Sequence, residues 1–309
     1  MSDAGVPPVV VLFGPTALGK TDIAVELAEH LGAEIVVADS MQVYAGLPIL
    51  TNQPSAEQQA RVLHHLVGFV DPGEHFSAAE YARDSHAAID GVLARGRRVV
   101  LEGGSGLYVR AALGGLSFGP APDPRLRAEL EGRLDNEGLA ALAAELRRLD
   151  PAAAGRIDLA NPRRVLRALE AALMGAQASE PPPALWQPGS RYAYALVALE
   201  AERDVLRQRI HERTQEMVAA GAVEELRALR ARGPLSRTLQ QAIGVREFSA
   251  YLEGALTLEE ATAQTEARTR QLVRRQLTWM RKLPDAARIA VAGDSPGTVA
   301  SRLASLLNA

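Results

Sequence analysis

The chain has 309 residues, 47% of them apolar and 23% charged, with a formal net charge of -3 and no cysteine. That is enough apolar material for a substantial core, arranged as one large domain or two modest ones. Disulfides and thiolate metal sites are excluded, no 18-residue apolar run or charged start with an apolar stretch supports a membrane span or secretory signal, and the mildly acidic balance confines any nucleic-acid surface to a local patch.

The run Val9-Val10-Val11-Leu12-Phe13 predicts a buried strand, and from Lys20 the positions Ile23, Leu27 and Leu31 keep helical spacing. Between them lies Gly14-Pro15-Thr16-Ala17-Leu18-Gly19-Lys20-Thr21, which matches G-x-x-x-x-G-K-[ST] in its required strand-to-helix setting. In such a loop the glycines let backbone N–H groups turn inward around phosphate oxygens, and the helix N-terminus adds partial positive charge. Lys20 neutralises a terminal phosphate and Thr21 offers its hydroxyl to Mg2+. Lys20 and Lys282 are the only lysines among 34 basic residues. A compact ammonium reaches into a tight loop more readily than a guanidinium fork.

Glu34 to Ala38 predicts a second strand, Leu66 to Val70 a third and Arg98 to Leu101 a fourth, with a helix over Ser77 to Arg95. The alternation implies an α/β fold, a parallel sheet covered by helices. Asp39 follows the second strand, so it stands at a carboxyl end, where open α/β sheets bind ligands. A carboxylate there holds Mg2+ through water or accepts a proton from an attacking nucleophile, or else caps the helix that follows. Glu102-Gly103-Gly104-Ser105-Gly106 follows the fourth strand in the same way, and its glycines fit a structural turn as well as a ligand approach. The adjacent His64 and His65 diverge on any regular element, which favours a structural role over metal binding.

After Gly119 the texture turns helical. Pro120, Pro122 and Pro124 lead into Leu126, Leu130 and Leu134, then Leu139, Leu142, Leu146 and Leu149, and a further helix is expected from Pro162 to Leu173. Glu180-Pro181-Pro182-Pro183 with Pro188-Gly189 reads as a linker. The expected organisation is therefore 1–118 as the first part of the α/β core, 119–190 as a helical insertion, and 191–309 as a return to the core. In that last part Tyr192 to Leu199 predicts a strand, more helix runs to Gly233-Pro234, and a long helix covers Leu258 to Lys282. Arg268, Arg270, Arg274, Arg275, Arg281 and Lys282 on it have no acid between them, a pattern that suits either a solvated face or an anionic partner. Arg163, Arg164 and Arg167 form a second basic cluster.

The loop alone fits a nucleoside kinase or an alkyl transferase, and it points first to ATP. A nucleotide-switched RNA-binding module is weakened by the absence of a guanine-reading NKxD motif. Seven motifs in order decide between these: GPTALGKT at Gly14, DSMQVYAGLPI at Asp39, HHLVGFVDPGEHFSAAEYARD at His64, EGGSGLYVRAAL at Glu102, NPRRVLRALE at Asn161, QAIGVREF at Gln241 and TRQLVRRQLTWMRK at Thr269. Together they resemble the tRNA dimethylallyltransferase family, with a P-loop NTPase-like core and a helical insertion domain. Leu18 stands where that family usually has a small residue, TNQP at Thr51 replaces TAKP, and Val245 replaces a common tyrosine. The missing lysine is expected to weaken one RNA contact.

The resemblance implies transfer of a dimethylallyl group from its diphosphate to N6 of the adenosine 3′ of the anticodon, with the loop from Gly14 to Thr21 holding the leaving diphosphate and Mg2+ on Thr21. It implies Asp39 as the base, Thr16 at the reacting diphosphate and Arg270 as a further clamp. It also implies contacts to the tRNA anticodon stem-loop from Asp39, Ser40, Met41, Gln42, Ser105, Arg127, from Arg163, Arg164, Val165, Leu166 and Arg167, and from Gln240, Gln241, Gly244 and Arg246. The expected compartment is the cytoplasm, with no membrane, and the expected state a monomer.

Overall fold

The computed structural model describes residues 6–114, 123–175, 189–283, 286–291 and 293–307, with Leu116 and Phe118. They fall into two compact units, Met1–Gly115 with Pro188–Ala309, and Leu116–Gln187. Gly119, Pro120, Pro122 and the proline linker from Glu180 to Pro188 lie outside the described residues.

The first unit opens with β1 (Val9–Phe13), α1 (Lys20–Leu31), β2 (Ala33–Ala38), α2 (Pro48–Thr51), α3 (Ala56–Arg61), β3 (His64–His65), α4 (Ala78–Ala94), β4 (Arg98–Gly103) and α5 (Gly106–Leu113). The second unit holds α6 (Pro124–Glu137), α7 (Leu139–Leu149), α8 (Pro151–Arg156) and α9 (Pro162–Leu173). The first then resumes with β5 (Tyr194–Glu200), α10 (Arg203–Ala219), α11 (Ala222–Arg230), α12 (Arg237–Gln240), α13 (Val245–Leu252), α14 (Leu258–Met280), β6 (Ala287–Ala290) and α15 (Pro296–Leu307).

The strands form one parallel sheet in the order β3-β2-β4-β1-β5-β6. Every residue of β1 is buried, as a central parallel strand covered on both faces must be. Val10 and Leu12 belong to a core with Ile23 and Leu27 of α1 and Val299 and Leu303 of α15. Neither β6 nor α15 is among the elements predicted above. The strand has four residues at the sheet edge with only Ile289 buried, so it carries almost no apolar signal.

Adjacency in the sheet positions the site. β1 is bonded to β4 and β4 to β2, with Phe13 opposite Gly103 and Gly103 opposite Ala38, so three chain segments leave the sheet side by side and level with one another. These are the segments beginning at Gly14, Gly104 and Asp39. Gly103 is required there, because a Cβ on it would stand 2.6 Å from the Ala38 carbonyl oxygen.

The third strand differs from expectation. Only His64 and His65 pair with β2, and Leu66 then adopts φ 66°, which ends the ladder and turns the chain. The apolar run after it lies along the turn that follows Asp39: Gly68 N–H donates to the Gln42 carbonyl (2.8 Å) and Phe69 N–H to that of Val43 (2.8 Å). An apolar run reports burial but not its partner, so residue type alone does not separate this segment from a sheet strand. His65 is a structural residue, its Nε2 lying 2.7 Å from the Glu34 carboxylate.

In the second unit the leucines spaced by three and four become a core of Leu130, Leu142, Leu146, Val165 and Leu169. Asn161 caps α9 by accepting the Arg164 N–H (3.3 Å), and Pro162 takes the first helical turn, where its missing N–H costs nothing.

Candidate functional site

The loop from Gly14 to Thr21 closes through its own backbone. Gly19 at φ 79° precedes α1, and Ala17 adopts φ 65°, a left-handed conformation unusual for a residue with a Cβ. Such turns aim consecutive N–H groups at a common point, which makes an anion-binding concavity. The Leu18 side chain is buried in the core, so this departure from the small residue of related loops affects packing and leaves the loop's inner surface to backbone.

Around the loop lies a cleft of about 580 Å³ lined by Thr16, Lys20, Thr21, Asp39, Glu102 and Arg213 among others. Thr21 Oγ1 donates to Glu102 Oε1 at 2.9 Å. Arg213 of α10 donates to Thr16 Oγ1 at 3.2 Å, and Arg209, one turn earlier, donates to the Leu18 carbonyl at 3.1 Å. From α14, Gln276 accepts the Thr16 N–H on its Oε1 at 2.9 Å. This contact explains Gly104, where a Cβ would meet Gln276 Nε2 at 2.4 Å.

Burial lowers the Lys20 pKa against the opposing pull of Glu102, and burial likewise raises that of Glu102 against the pull of Lys20. Burial also lowers the Arg213 pKa, with Asp39 opposing. Two cations and two carboxylates therefore meet in a confined space, and an arriving anion would add the negative charge that Lys20 and Arg213 have been desolvated to receive.

Asp39 caps the turn that follows β2 and also lines the cleft. Its Oδ1 accepts the N–H groups of Met41 (2.8 Å) and Gln42 (3.3 Å), which fixes the carboxylate against the turn and presents it to the cleft. Gln53 braces the same turn, its Nε2 donating to the carbonyls of Gln42 (3.0 Å) and Tyr44 (2.7 Å). The residue standing in place of the lysine of TAKP thus has work of its own.

Of the residues singled out from sequence, Thr16 to Thr21, Asp39 and Gln42 line the cleft, while Gly14 and Pro15 are buried beneath it. Ser40, Met41 and Ser105 are half-buried and are not among the lining residues. Arg270 is not among them either and pairs instead with Glu266 at 3.3 Å. Leu272 and Gln276, one helical turn apart, face the cleft, and Arg270 stands about 200° around the helix from Leu272. The clamp expected of Arg270 is available instead from Arg213.

Val165 and Leu166 are core residues, which rules out side-chain contact with RNA. Arg127 and Arg167 both hold the fully buried Glu170, whereas Arg163 and Arg164 are exposed. Gly244 is buried at φ 92°, a Cβ there would meet Leu50 Cδ2 at 2.8 Å, and its N–H donates to Glu247 Oε2 at 2.9 Å. Val245 beside it is buried as well. Gln240, Gln241 and Arg246 are exposed. Arg268 belongs to the Glu247 ion pair (2.7 Å), which leaves Arg274 and Arg275 exposed on α14 and Arg281 and Lys282 exposed just past its end.

Nothing local in the sequence marks Arg209, Arg213 and Gln276 as cleft residues or pairs Thr21 with Glu102. One signal was available: Arg209 and Arg213 are four residues apart on a helix and so share a face. Thr21 and Glu102 supply hard oxygens of the kind Mg2+ prefers, and among the described residues no group of three or more His, Cys, Asp or Glu could cage a metal. The donor set fits a Mg2+ ion that takes most of its shell from a phosphate ligand and water.

The family model for IPP transferase matches residues 42–283. The chain is 46% identical over 273 residues to the tRNA dimethylallyltransferase of Anaeromyxobacter dehalogenans strain 2CP-C, covering 88% of this chain and 91% of that one. It is 43% identical over 310 residues to the enzyme of the same name from Bordetella petrii, covering 97% and 98%. Among solved structures, the tRNA isopentenylpyrophosphate transferase of Bacillus halodurans superposes with a TM-score of 0.71 at 36% identity, covering 97% of this chain and 95% of the other.

Proposed function

The chain belongs to the IPP transferase family of tRNA dimethylallyltransferases, and from that membership we infer that it transfers the dimethylallyl group of dimethylallyl diphosphate to N6 of the adenosine 3′ of the anticodon, releasing diphosphate. The observation that carries this reading is the placement of the Asp39 carboxylate and the Thr16–Thr21 part of the anion cradle on one cleft. A kinase would need the same cradle, but the matched family and relatives are prenyl transferases.

The reaction breaks the bond between C1 of the allyl group and the diphosphate oxygen and forms one between C1 and N6. The leaving group gains negative charge as the bond breaks, so fixed donors aimed at it lower the barrier. Those donors are the inward N–H groups of the loop, Lys20 and Arg213, with Thr16 held between Arg213 and Gln276 so that its hydroxyl is fixed close to the reacting oxygen. Mg2+ held by Thr21 would add Lewis-acid neutralisation of the diphosphate.

The N6 amine loses a proton as it attacks, and Asp39 takes it. Because Oδ1 carries both bonds of the turn, the second oxygen is the one presented to the amine. The adenosine must leave its stack to enter the cleft, and Gln42, on the same turn, is suited to reading a base edge. Exposed Arg163 and Arg164, Gln240, Gln241 and Arg246 are assigned to the tRNA. No helix among the described residues is long and apolar enough to cross a membrane. A tRNA substrate supports the cytoplasm as the compartment of the reaction, and one chain carrying every group named supports a monomer.

The test is incubation of purified protein with labelled dimethylallyl diphosphate and unmodified tRNA. Label should appear in RNA without ATP, and no transfer under any condition would overturn the assignment. Asp39→Ala should reduce turnover by about 10²–10⁴-fold, the range of a general base, while tRNA affinity stays close to that of the unaltered chain. Equal collapse of affinity would remove the proton-transfer role.

A further inference from the structure

We propose that Glu102 is a metal ligand, so that Thr21 and Glu102 together form the protein's half of a divalent-cation site completed by diphosphate. The proposal rests on the diphosphate reading of the loop, and its test separates the two.

Glu102 sits at the carboxyl end of β4, opposite Leu12 of β1 and Val37 of β2, and is 5% exposed. Its predecessors Val99, Val100 and Leu101 are wholly buried apolar residues, the composition expected of a strand with neighbours on both sides. A carboxylate at the next position must be desolvated, which is costly unless a cation or several hydrogen bonds compensate. Lys20 is the adjacent cation, yet its Nζ donates to the Pro15 carbonyl at 2.9 Å, while the Glu102 carboxylate accepts its hydrogen bond from Thr21. When diphosphate enters the loop it draws the Lys20 charge to itself. Glu102 is then a buried anion beside a bound anion, an arrangement that needs a further positive charge.

The geometry supplies a place for that charge. Thr21 Oγ1 and Glu102 Oε1 are 2.9 Å apart. Two adjacent ligands of an octahedral ion with metal–oxygen bonds of about 2.1 Å are about 3 Å apart, so the pair is already spaced as one edge of a Mg2+ shell. Mg2+ commonly takes one or two protein oxygens and completes its shell with substrate phosphate and water. A carboxylate on the strand next to the phosphate loop, in contact with the loop's own hydroxyl, is the arrangement by which P-loop nucleotide hydrolases hold their metal. Here it would serve a leaving diphosphate. Because the protein offers two donors, cation and diphosphate bind together, each strengthening the other.

The experiment measures Mn2+ binding to the full chain by electron paramagnetic resonance, with and without inorganic diphosphate, for the unaltered protein, Glu102→Gln and Glu102→Asp. Glutamine keeps an oxygen for the Thr21 hydroxyl and loses the charge. In the presence of diphosphate its Mn2+ affinity should fall at least about tenfold, while diphosphate affinity in EDTA stays the same or rises. Glu102→Asp, which retains the carboxylate, should recover most of the Mn2+ affinity. Should Glu102→Gln fail to fold, the infrared carboxylate band of the unaltered diphosphate complex still decides: Mg2+ should shift it, and an unshifted band overturns the proposal. A folded Glu102→Gln with Mn2+ affinity within twofold of the unaltered protein overturns it equally. If the unaltered chain binds no diphosphate, with metal or in EDTA, the reading of the loop itself fails.

Discussion

Arg213 and Arg270 are both arginines on long helices of the same unit, and the packing gives them opposite surroundings. Arg213 points into the cleft, bonded to Thr16 and desolvated beside Asp39. Arg270 is committed to Glu266 four residues earlier, a local pair of the kind worth only a few tenths of a kcal/mol. Arg213→Ala should therefore lower kcat/KM by about 10²–10³-fold, as removing one donor to a developing anion does, whereas Arg270→Ala should stay within about threefold of the unaltered enzyme. Steady-state kinetics with dimethylallyl diphosphate as the varied substrate checks both. The phosphate loop was legible at this scale because its chemistry is contiguous, eight residues whose spacing is itself the mechanism. The cation across from it was not, since an arginine run on a helix gives no indication of which member meets a residue far away in the chain.

At the scale of elements, Glu34 joins several parts of the sheet. It lies on β2, accepts from His65 of β3 at 2.7 Å, and pairs with Arg95 (2.6 Å) just after α4 and Arg97 (3.3 Å) just before β4. Burial raises its pKa, but the bonds from His65 and Arg95 outweigh burial and leave it below its ordinary value of 4.5. A carboxylate with a lowered folded pKa contributes stability that is fully present above about 4.5 and is lost as pH falls through the folded value. Between about pH 5 and pH 3 the melting temperature of the unaltered protein should fall more steeply than that of Glu34→Gln, which has no such charge to titrate. Parallel slopes in thermal melts would show that the knot contributes nothing. The sequence marks His64 and His65 as structural but not their partners: His64 meets the Val62 carbonyl at 2.8 Å and His65 meets Glu34 across 31 residues. The third strand is a similar case: Leu66 at φ 66° carries no signature in residue type, and that one dihedral diverts the next four residues to brace the Asp39 turn.

Over the whole molecule the charge is -3, yet the proposed substrate is a polyanion. Binding must then depend on local basic groups, among them the exposed Arg163 and Arg164 in the second unit and Arg246, Arg274, Arg275, Arg281 and Lys282 in the first. Affinity for tRNA should fall with added salt, and replacing both Arg163 and Arg164 by alanine should reduce the log–log salt slope by about 1 for each phosphate no longer neutralised. Filter binding at several salt concentrations measures this, and an unchanged slope would remove α9 from the RNA surface. Their neighbours Val165, Leu166 and Arg167 illustrate how far a motif extends beyond its function, since two fill the core and one holds Glu170.

From its sequence alone the chain declares a phosphate loop between strand and helix, a parallel sheet, a helical insertion and a family, because each of these is encoded in short-range spacing or in the order of motifs. What only the tertiary structure decided is which side chains finish the cleft. Thr21 meets Glu102 across 81 residues, Arg213 reaches Thr16 across 197, and Thr16 meets Gln276 across 260. Periodicity can say that a residue faces inward. Only the order of strands in the sheet, which set β1 between β4 and β5, and the rotation of α10 and α14 about their axes determine what it faces.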